Sequence, residues 1–280
     1  MDISVVVPFY NEERYIESCV KALLSQSYPA DRYEIIMVDN NSTDRSVEIV
    51  KRYPCIKLLS EHKQGSYGAR NQGIAQSKGG IIAFTDADCS PCTDWLQRIA
   101  DAMRSPDVSI VQGRIRFASD STALSMLAAY ESEKAAFVFS SHTKEIYYGY
   151  TNNMAVRRGL FDRLGPFLEM GRGADVVFMR RAIDEYSCDV VRYSPDACVR
   201  HLEMTDVWKY YRKQLIYGRS YRSYGKIAST RPLTTGERLE VFKRTIRRGG
   251  YSLAKSAGLF LLLSIGGVCY ELADGERPGS

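Results

Sequence analysis

The segment GGIIAFTDADCSP, residues 79–91, joins a short apolar run to two carboxylates one residue apart and then to a Ser-Pro pair. In an extended backbone alternate side chains point the same way, so Asp86 and Asp88 project to one side while Ala87 turns away. Two carboxylates on one side repel each other unless a positive charge lies between them. Because ligands of open α/β sheets bind at the carboxyl ends of the strands, this segment predicts a sheet with a charged ligand at its edge.

The first half of the chain alternates between apolar runs and helical patterns, which predicts a mostly parallel, Rossmann-like central sheet flanked by helices. The apolar runs are rich in aliphatic residues and flanked by turn formers, so we expect buried strands at ISVVVPF (3–9), YEIIMVD (33–39), IKLLS (56–60) and GGIIAFTD (79–86). Apolar residues at helical spacing behind Asn, Ser, Asp or Thr93 predict helices at 12–26, 42–53, 66–77 and 93–103.

The second half is less regular and contains no internal repeat. Its expected elements are a strand at 108–117, a helix at about 123–139, a loop at 149–161, an acidic segment at 171–183 and a Tyr- and Arg-rich helix from about 208.

Composition restricts the classes of partner. The 280 residues are 45% apolar, enough for a sizeable core, and the net charge of +5 comes largely from basic residues in the last third. That distribution favours phosphate groups or an anionic membrane surface, and no motif supports nucleic acid. The apolar run at the start ends on Pro8, so we expect no signal peptide and a cytoplasmic chain. Seven scattered cysteines predict reduced thiols.

Three expected strand ends carry polar residues that would converge on one cleft: 8–12, 39–42 and 86–88. A D-x-D pair after a buried strand can hold Mg²⁺ or Mn²⁺, whose charge would neutralise a bound diphosphate. The alternative is that both aspartates cap a helix or lie solvated in a loop.

Three segments together resemble the nucleotide-sugar-binding half of glycosyltransferase family 2, an inverting family with the GT-A fold. They are ISVVVPFYNEERYIESCVKALLSQSYPADRYEIIMVDNNSTDRSVEIV (3–50), KQGSYGARNQGI (63–74) and IIAFTDADCSP (81–91), in the family's order and spacing. The resemblance implies a GT-A domain at 1–225, divided into a nucleotide-sugar half (1–115) and an acceptor half (116–225), followed by a helical tail at 226–280.

The resemblance also implies site residues. Pro8, Tyr10 and Glu12 would line the nucleotide pocket, with Asp39 at the base or ribose, Arg70 on the nucleotide, Asp86 at the ribose, and Asp88 on Mn²⁺ or Mg²⁺ with His201. Asp39 can instead cap a turn, and Arg70 can be a solvated helix residue. A rival reading uses Cys89, Cys92, Cys198 and His201 as a tetrahedral zinc site.

The family's catalytic base matches Asp175 in GRGADVVFMRRA (171–182), where Ala174 replaces the usual Glu. As base, Asp175 would accept the proton of an acceptor hydroxyl during an inverting displacement; alternatively it is a helix cap. Asn152 and Asn153 are candidate acceptor contacts. Gln214 is not followed by the Arg-Trp of processive members, which implies that one sugar is transferred per encounter with the acceptor. Arg219 is a candidate contact for the diphosphate.

The segment SAGLFLLLSIGGVCY, residues 256–270, lacks charge over 15 residues. It is short for a membrane span, and it could lie in the membrane interface behind a basic flank or form a buried core helix. We expect this tail to bring the protein to the cytoplasmic face of a membrane, peripherally or as a C-terminal anchor, near a lipid-linked or glycan acceptor.

The function that these features favour is metal-dependent, inverting transfer of a sugar from a nucleotide-sugar donor, with a UDP-sugar as the expected donor. A dinucleotide-dependent oxidoreductase is excluded because no G-x-G-x-x-G follows the first strand. A catalytically inactive nucleotide-sugar-binding or scaffold protein remains the alternative, with Ala174 as its only support.

Overall fold

The computed structural model describes residues 1–118 and 121–275. The strands are β1 Ile3–Phe9, β2 Tyr33–Asp39, β3 Lys57–Ser60, β4 Ile81–Thr85, β5 Cys89–Pro91, β6 Ile110–Phe117, β7 Asn153–Arg157 and β8 Val191–His201. The helices are α1 Ile16–Leu24, α2 Ser46–Lys51, α3 Ser66–Gln76, α4 Trp95–Ala102, α5 Thr122–Ser140, α6 Arg158–Leu164, α7 Ala174–Glu185, α8 Val207–Ala228, α9 Thr235–Gly249 and α10 Leu253–Gly275. The strands form one sheet in the order β3-β2-β1-β4-β7-β6-β8-β5, flanked by helices.

Four neighbouring strands, β3, β2, β1 and β4, run parallel, which confirms the α/β prediction for this half. Every residue of β1 is buried, as expected for a central strand covered on both faces. Since β1, β2 and β4 are parallel and adjacent, their carboxyl ends meet at one edge of the sheet, where the polar residues follow.

The other half of the sheet is mixed. β7 pairs antiparallel with β4 and β6, β8 pairs parallel with β6, and β5 pairs antiparallel with β8. Residues 149–161, predicted to be a loop, contain β7 and the first four residues of α6, so that prediction is wrong. The five residues of β7 carry too little pattern to identify a strand, and their conformation depends on pairing with distant residues.

Helix α5 confirms the helix predicted at about 123–139, and α8 confirms the one predicted from about 208. The predicted cap of α4 is wrong, because Asp94 rather than Thr93 precedes the helix and makes no side-chain capping bond. The apolar side of α4 is buried in the core, with Trp95, Leu96 and Ile99 fully or almost fully covered.

Helix α10 packs along α8 and α5 instead of standing free. The Tyr211 hydroxyl of α8 donates to the Leu262 carbonyl oxygen of α10 at 3.1 Å, and Leu259 is fully buried. Residues Leu253–Leu272 are long and apolar enough to cross a membrane, judged by length and composition, with a mean hydropathy of 1.6. Only 11% of that span's most apolar window is buried, so α10 is not the buried core helix considered above.

Candidate active site

The loops after β1 and β2 are joined by hydrogen bonds at the carboxyl edge of the sheet. The backbone N–H of Asn11 donates to Ser42 Oγ at 3.1 Å, and the N–H of Thr43 donates to Asn11 Oδ1 at 2.8 Å. Asn11 has a φ of 54°, a left-handed conformation that asparagine tolerates. Asp39 accepts a hydrogen bond from the Ser42 N–H at 3.0 Å, so Asp39 caps this turn, and α2 begins later at Ser46.

The residues assigned to the nucleotide pocket on the first loop differ in exposure. Pro8 is buried within β1, whereas the Tyr10 side chain is exposed at the rim of the cleft. Glu12 is partly buried, and its N–H donates to Ser46 Oγ at 2.8 Å. Tyr10 and Glu12 are therefore the two whose side chains a ligand can reach.

Asn40 fixes the loop that leads into α3. Its Nδ2 donates to the carbonyl oxygens of Glu61 and Lys63, both at 2.8 Å, and its Oδ1 accepts from the Gly65 N–H at 2.7 Å. Sequence reasoning did not assign Asn40 a role, although an asparagine directly after a buried strand was a signal. By fixing the start of α3, Asn40 positions the residues that α3 directs into the cleft.

Arg70 of α3 supplies the positive charge that Asp86 needs. Its guanidinium is buried, donates to Asp86 Oδ1 at 2.5 Å, and lies over the Tyr67 ring at 5.3 Å. The alternative of a solvated helix residue is therefore wrong for Arg70. A buried charge with a specific carboxylate partner is costly to separate, so this pair holds α3 against the end of β4.

Asp88 faces a different partner. β5 pairs with β8 so that Cys89 lies opposite His201, and His201 Nδ1 lies 3.4 Å from Asp88 Oδ2. His201 is 4% exposed, and its Nδ1 has no hydrogen-bond partner. Buried polar atoms in native structures nearly always have partners, so this nitrogen indicates a ligand position.

The donor set fits a hard divalent cation. Within residues 1–118 and 121–275, the carboxylate and imidazole atoms of Asp88 and His201 lie with the Cys89 thiol within 4.8 Å of one another. Burial raises the pKa of Cys89 well above its usual value, so the thiol stays protonated and is a poor ligand. One carboxylate and one neutral imidazole leave further coordination positions for water and phosphate oxygens, as Mg²⁺ and Mn²⁺ sites require.

Negative charge accumulates around this position. The pKa of Glu12 is raised to about 8, first by burial and then by Asp88, Glu203 and Asp86. The pKa of Asp88 is raised to about 6, first by burial and then by Asp86, against the opposing effect of Lys213. A raised pKa means that the surroundings do not fully stabilise the negative charge of the ionised carboxylate. A bound cation would stabilise that charge.

His201 is neutral at physiological pH. Its pKa is lowered to about 3, first by burial and then by the Lys213 ammonium, which contacts His201 Nε2. Neutral imidazole is the form that binds metal.

Lys213 was missed in the sequence, although it lies next to Gln214 in the segment compared with processive members. Gln214 itself faces away, with its Cγ beside Gly266 of α10, and Arg219 is exposed on α8.

Asp175 is the second residue of α7 and is buried beside α3. It accepts hydrogen bonds from the N–H groups of Thr151 at 3.2 Å and Val176 at 3.0 Å. Burial raises the pKa of Asp175, although the Tyr67 hydroxyl and the Arg70 guanidinium oppose the shift. Tyr67 and Arg70 therefore connect the predicted base to the predicted donor site.

The start of α7 depends on Gly173, which precedes the helix with a φ of 87°. A Cβ at Gly173 would lie 2.1 Å from Tyr224 Cδ1 of α8, so only glycine permits this approach of the two helices. Because Gly173 occupies the capping position, the alternative that Asp175 is the helix cap is wrong. Ala174, which replaces the expected Glu, is fully buried.

Of the two asparagines expected to contact the acceptor, Asn153 fails the expectation and Asn152 stays a candidate. Asn153 is buried, with its Oδ1 accepting from Trp95 Nε1 at 2.8 Å and its Nδ2 donating to Arg114 and Ala197 carbonyl oxygens, so it is structural rather than an acceptor contact. Asn152 is half-buried, and its Oδ1 has no partner.

The zinc reading fails because β8 is a strand. Side chains three positions apart on a strand point to opposite faces, so Cys198 and His201 cannot face one site. Cys92 pairs with Cys198, whose carbonyl oxygen accepts the Cys92 N–H at 2.9 Å. The four proposed ligands are thus divided between two places.

Comparison with known proteins shows the family and the fold. Residues 4–167 match the description "Glycosyl transferase family 2". The chain belongs to this family. Among solved structures, the mannosyltransferase PcManGT from Pyrobaculum calidifontis, in complex with GDP-Man and Mn²⁺, has a TM-score of 0.64 at 22% identity, covering 99% of this chain and 76% of PcManGT. S. aureus TarS 1–349 in complex with UDP-GlcNAc has a TM-score of 0.57 at 15% identity, covering 98% and 90%. The family member described here has the predicted GT-A fold.

Curated relatives match over shorter stretches. Glycosyltransferase AglE of Haloferax volcanii is 35% identical over 190 residues, which is 65% of this chain and 61% of AglE. The beta-monoglucosyldiacylglycerol synthase of Synechocystis sp. is 34% identical over 125 residues, 42% of this chain and 26% of the synthase. This family 2 chain therefore spans less than two thirds of the length of these relatives.

Proposed function

We propose that this chain is a metal-dependent, inverting glycosyltransferase that moves one sugar from a nucleotide-sugar donor, with a UDP-sugar as the expected donor, to a hydroxyl group of a glycan or lipid-linked acceptor. The observation that carries the proposal is the unpartnered His201 Nδ1, buried 3.4 Å from Asp88 Oδ2. Structural neighbours in complex with GDP-Man and Mn²⁺, or with UDP-GlcNAc, support this class of donor.

In this proposal Asp88 and His201 hold Mn²⁺ or Mg²⁺, and Asp86, oriented by Arg70, accepts hydrogen bonds from the donor's ribose. When bound, the cation would offset the charge that grows on the departing diphosphate. Asp39 and Tyr10 contact the nucleoside at the other end of the cleft.

Asp175 then acts on the acceptor. Its carboxylate accepts the proton of the acceptor hydroxyl as that oxygen forms a bond to the anomeric carbon. The bond from that carbon to the diphosphate oxygen breaks on the opposite face, so the anomeric configuration inverts in one displacement. The hydrogen bonds from Thr151 and Val176 orient the carboxylate for this step.

A hydrolysis assay separates this enzyme from a catalytically inactive binding protein. We expect purified protein to release UDP slowly from a UDP-sugar in the presence of Mn²⁺ and without acceptor. Adding EDTA should stop this release. GDP-mannose serves as the comparison donor. Binding of UDP-sugar without any release of UDP, over a range of Mn²⁺ and Mg²⁺ concentrations, would favour the inactive protein instead.

We also propose that residues 1–225 form the catalytic domain and that the tail from residue 226 contacts the cytoplasmic face of a membrane. Residues 276–280 of this tail lie outside the described part of the chain. The exposed side of α10 is apolar, and Phe242 of α9 adds a ring 6.2 Å from Phe260. The exposed apolar side chains are Leu253, Phe260, Leu261, Ile265, Val268 and Leu272. Helix α9 carries basic residues that suit anionic headgroups: Arg238, Lys243, Arg244, Arg247 and Arg248.

Tryptophan fluorescence tests this membrane contact. The chain has two tryptophans: Trp95 is fully buried in the core, whereas Trp208 of α8 is 82% exposed and its ring contacts Tyr211, which binds α10. On adding vesicles of phosphatidylcholine and phosphatidylglycerol we expect a blue shift and quenching by brominated lipid, because an interfacial tryptophan leaves water.

The control variants locate the signal. Trp208→Phe should remove the lipid-dependent quenching, and the paired change Leu261→Glu with Ile265→Glu should abolish vesicle binding. Leu24→Glu, at a leucine on α1 about as exposed as Ile265, should leave binding unchanged. Unaltered emission of the unmodified protein with anionic vesicles would contradict the membrane contact.

A further inference from the structure

Lys213 is a cation already present beside the position proposed for the metal. It lies on α8, is one quarter exposed, and its Nζ contacts His201 Nε2. The nearest carboxylate oxygen to this ammonium within the described residues is Glu203 Oε2, at 3.9 Å. Lys213 thus contacts an imidazole more closely than any described acidic side chain.

This contact determines where the His201 proton lies. A lysine ammonium has three donors and no acceptor, so the imidazole nitrogen that it contacts must accept. The proton of neutral His201 is then on Nδ1, the nitrogen that faces Asp88 Oδ2 at 3.4 Å. In this state Lys213 and the imidazole N–H together offset charge on the acidic side chains around Asp88.

The same arrangement is incompatible with metal binding. A coordinating nitrogen must offer its lone pair, and Nδ1 is the nitrogen nearest the other donor, Asp88. If Nδ1 binds a cation, the proton moves to Nε2, where two donors, the ring N–H and the lysine ammonium, would face each other. The lysine must therefore leave His201 when the metal binds.

We propose that Lys213 is a positioning residue that holds His201 in the tautomer of the metal-free state and must be displaced before a divalent cation can bind. This inference rests on the proposed function, since it concerns the same site. A bound nucleoside diphosphate gives the displaced ammonium a new partner, because phosphate oxygens accept its hydrogen bonds. Nucleotide and metal therefore favour each other's binding, and Lys213 carries part of that coupling.

Histidine nitrogen NMR tests the tautomer directly. The chain has three histidines, and the other two, His62 and His142, are exposed, so His201 is readily distinguished. In protein labelled with ¹⁵N-histidine we expect the Nδ1–H tautomer at His201 without metal and the Nε2–H tautomer with Mg²⁺ and UDP. An Nε2–H tautomer in the metal-free protein, or no change on adding both ligands, would overturn the proposal.

Metal titration tests the competition. We expect Lys213→Met to bind Mn²⁺ about tenfold more tightly than the unmodified protein without nucleotide, measured by electron paramagnetic resonance, and UDP to enhance Mn²⁺ binding less in the variant. Lys209→Met, which removes a positive charge one turn earlier on α8, is the matched control and should change neither value. Equal or weaker Mn²⁺ binding by Lys213→Met would overturn the proposal. Mn²⁺-dependent release of UDP by the unmodified protein is measured separately, so the proposed function can stand when this inference fails.

Discussion

Asp88→Asn is expected to lower the rate of sugar transfer about a thousandfold, because a metal's stabilisation of leaving-group charge contributes several kcal/mol and each 1.4 kcal/mol is tenfold in rate. The substitution keeps the shape of the side chain and removes the anionic ligand beside His201 Nδ1. Mn²⁺ affinity should fall with activity, and UDP should lose the metal-dependent part of its affinity. Titration calorimetry with UDP, with and without Mn²⁺, measures both effects.

Asp94→Asn is the matched control for Asp88→Asn. Asp94 is a nearby aspartate whose carboxylate pairs with Arg98 one turn along α4 at the surface, at 2.8 Å. It should retain activity and Mn²⁺ affinity. An Asp88→Asn protein that binds UDP with unchanged metal dependence would show that the cation site lies elsewhere.

Asp175→Asn is expected to reduce transfer about 10²–10⁴-fold, the usual contribution of a general base, while UDP and Mn²⁺ bind as before. The amide cannot accept the acceptor's proton, and Asp175 does not contact Asp88 or His201. The separation of the two effects is the readout: loss of turnover with retained nucleotide binding. Asp184→Asn, on the exposed side of the same helix, should retain activity. Full transfer by Asp175→Asn would show that another group is the base.

The pH dependence of the unmodified protein and of Asp175→Asn tests whether the pKa of Asp175 is raised. The folded protein raises the pKa of Asp175 through burial, so the acid limb of kcat/KM should lie above the pH at which an ordinary aspartate titrates. A raised folded pKa means that ionisation costs stability. The unmodified protein should therefore lose thermal stability relative to Asp175→Asn as pH rises from the unfolded pKa to the folded pKa, and below both values the difference should no longer change with pH. Melting temperatures of the two proteins across this range check the sign.

Local pattern was enough to predict the parallel half of the sheet, β1 to β4. The bounds of β1 and β2 agree with the apolar runs, because a strand covered on both faces must be continuously apolar. β7 was missed because its five residues gain their conformation from pairing with β4 and β6. Tertiary context of this kind leaves no signature within a short window of sequence.

The candidate site was likewise predicted from the sequence only in part. Asp86 and Asp88 were predicted as site residues from their place after β4, and Asp175 from the resemblance to glycosyltransferase family 2. Their roles stay predictions. Lys213 was not identified, because its role depends on how α8 packs against the end of β8. Asn153 was misread as an acceptor contact, because an asparagine in a presumed turn gave no hint that Trp95 and two backbone carbonyls use all of its polar atoms.

Helix α8 presents consecutive residues to two different surroundings: Lys213 reaches His201, and Gln214 lies against Gly266 of α10. The two side chains leave one rigid helix about 100° apart, so neither can move far without the other. Lateral pressure on α10 would rotate or shift α8 and carry the lysine with it. If both the proposed membrane contact and the proposed metal site hold, attachment to a bilayer and occupancy by the cation are mechanically linked through α8.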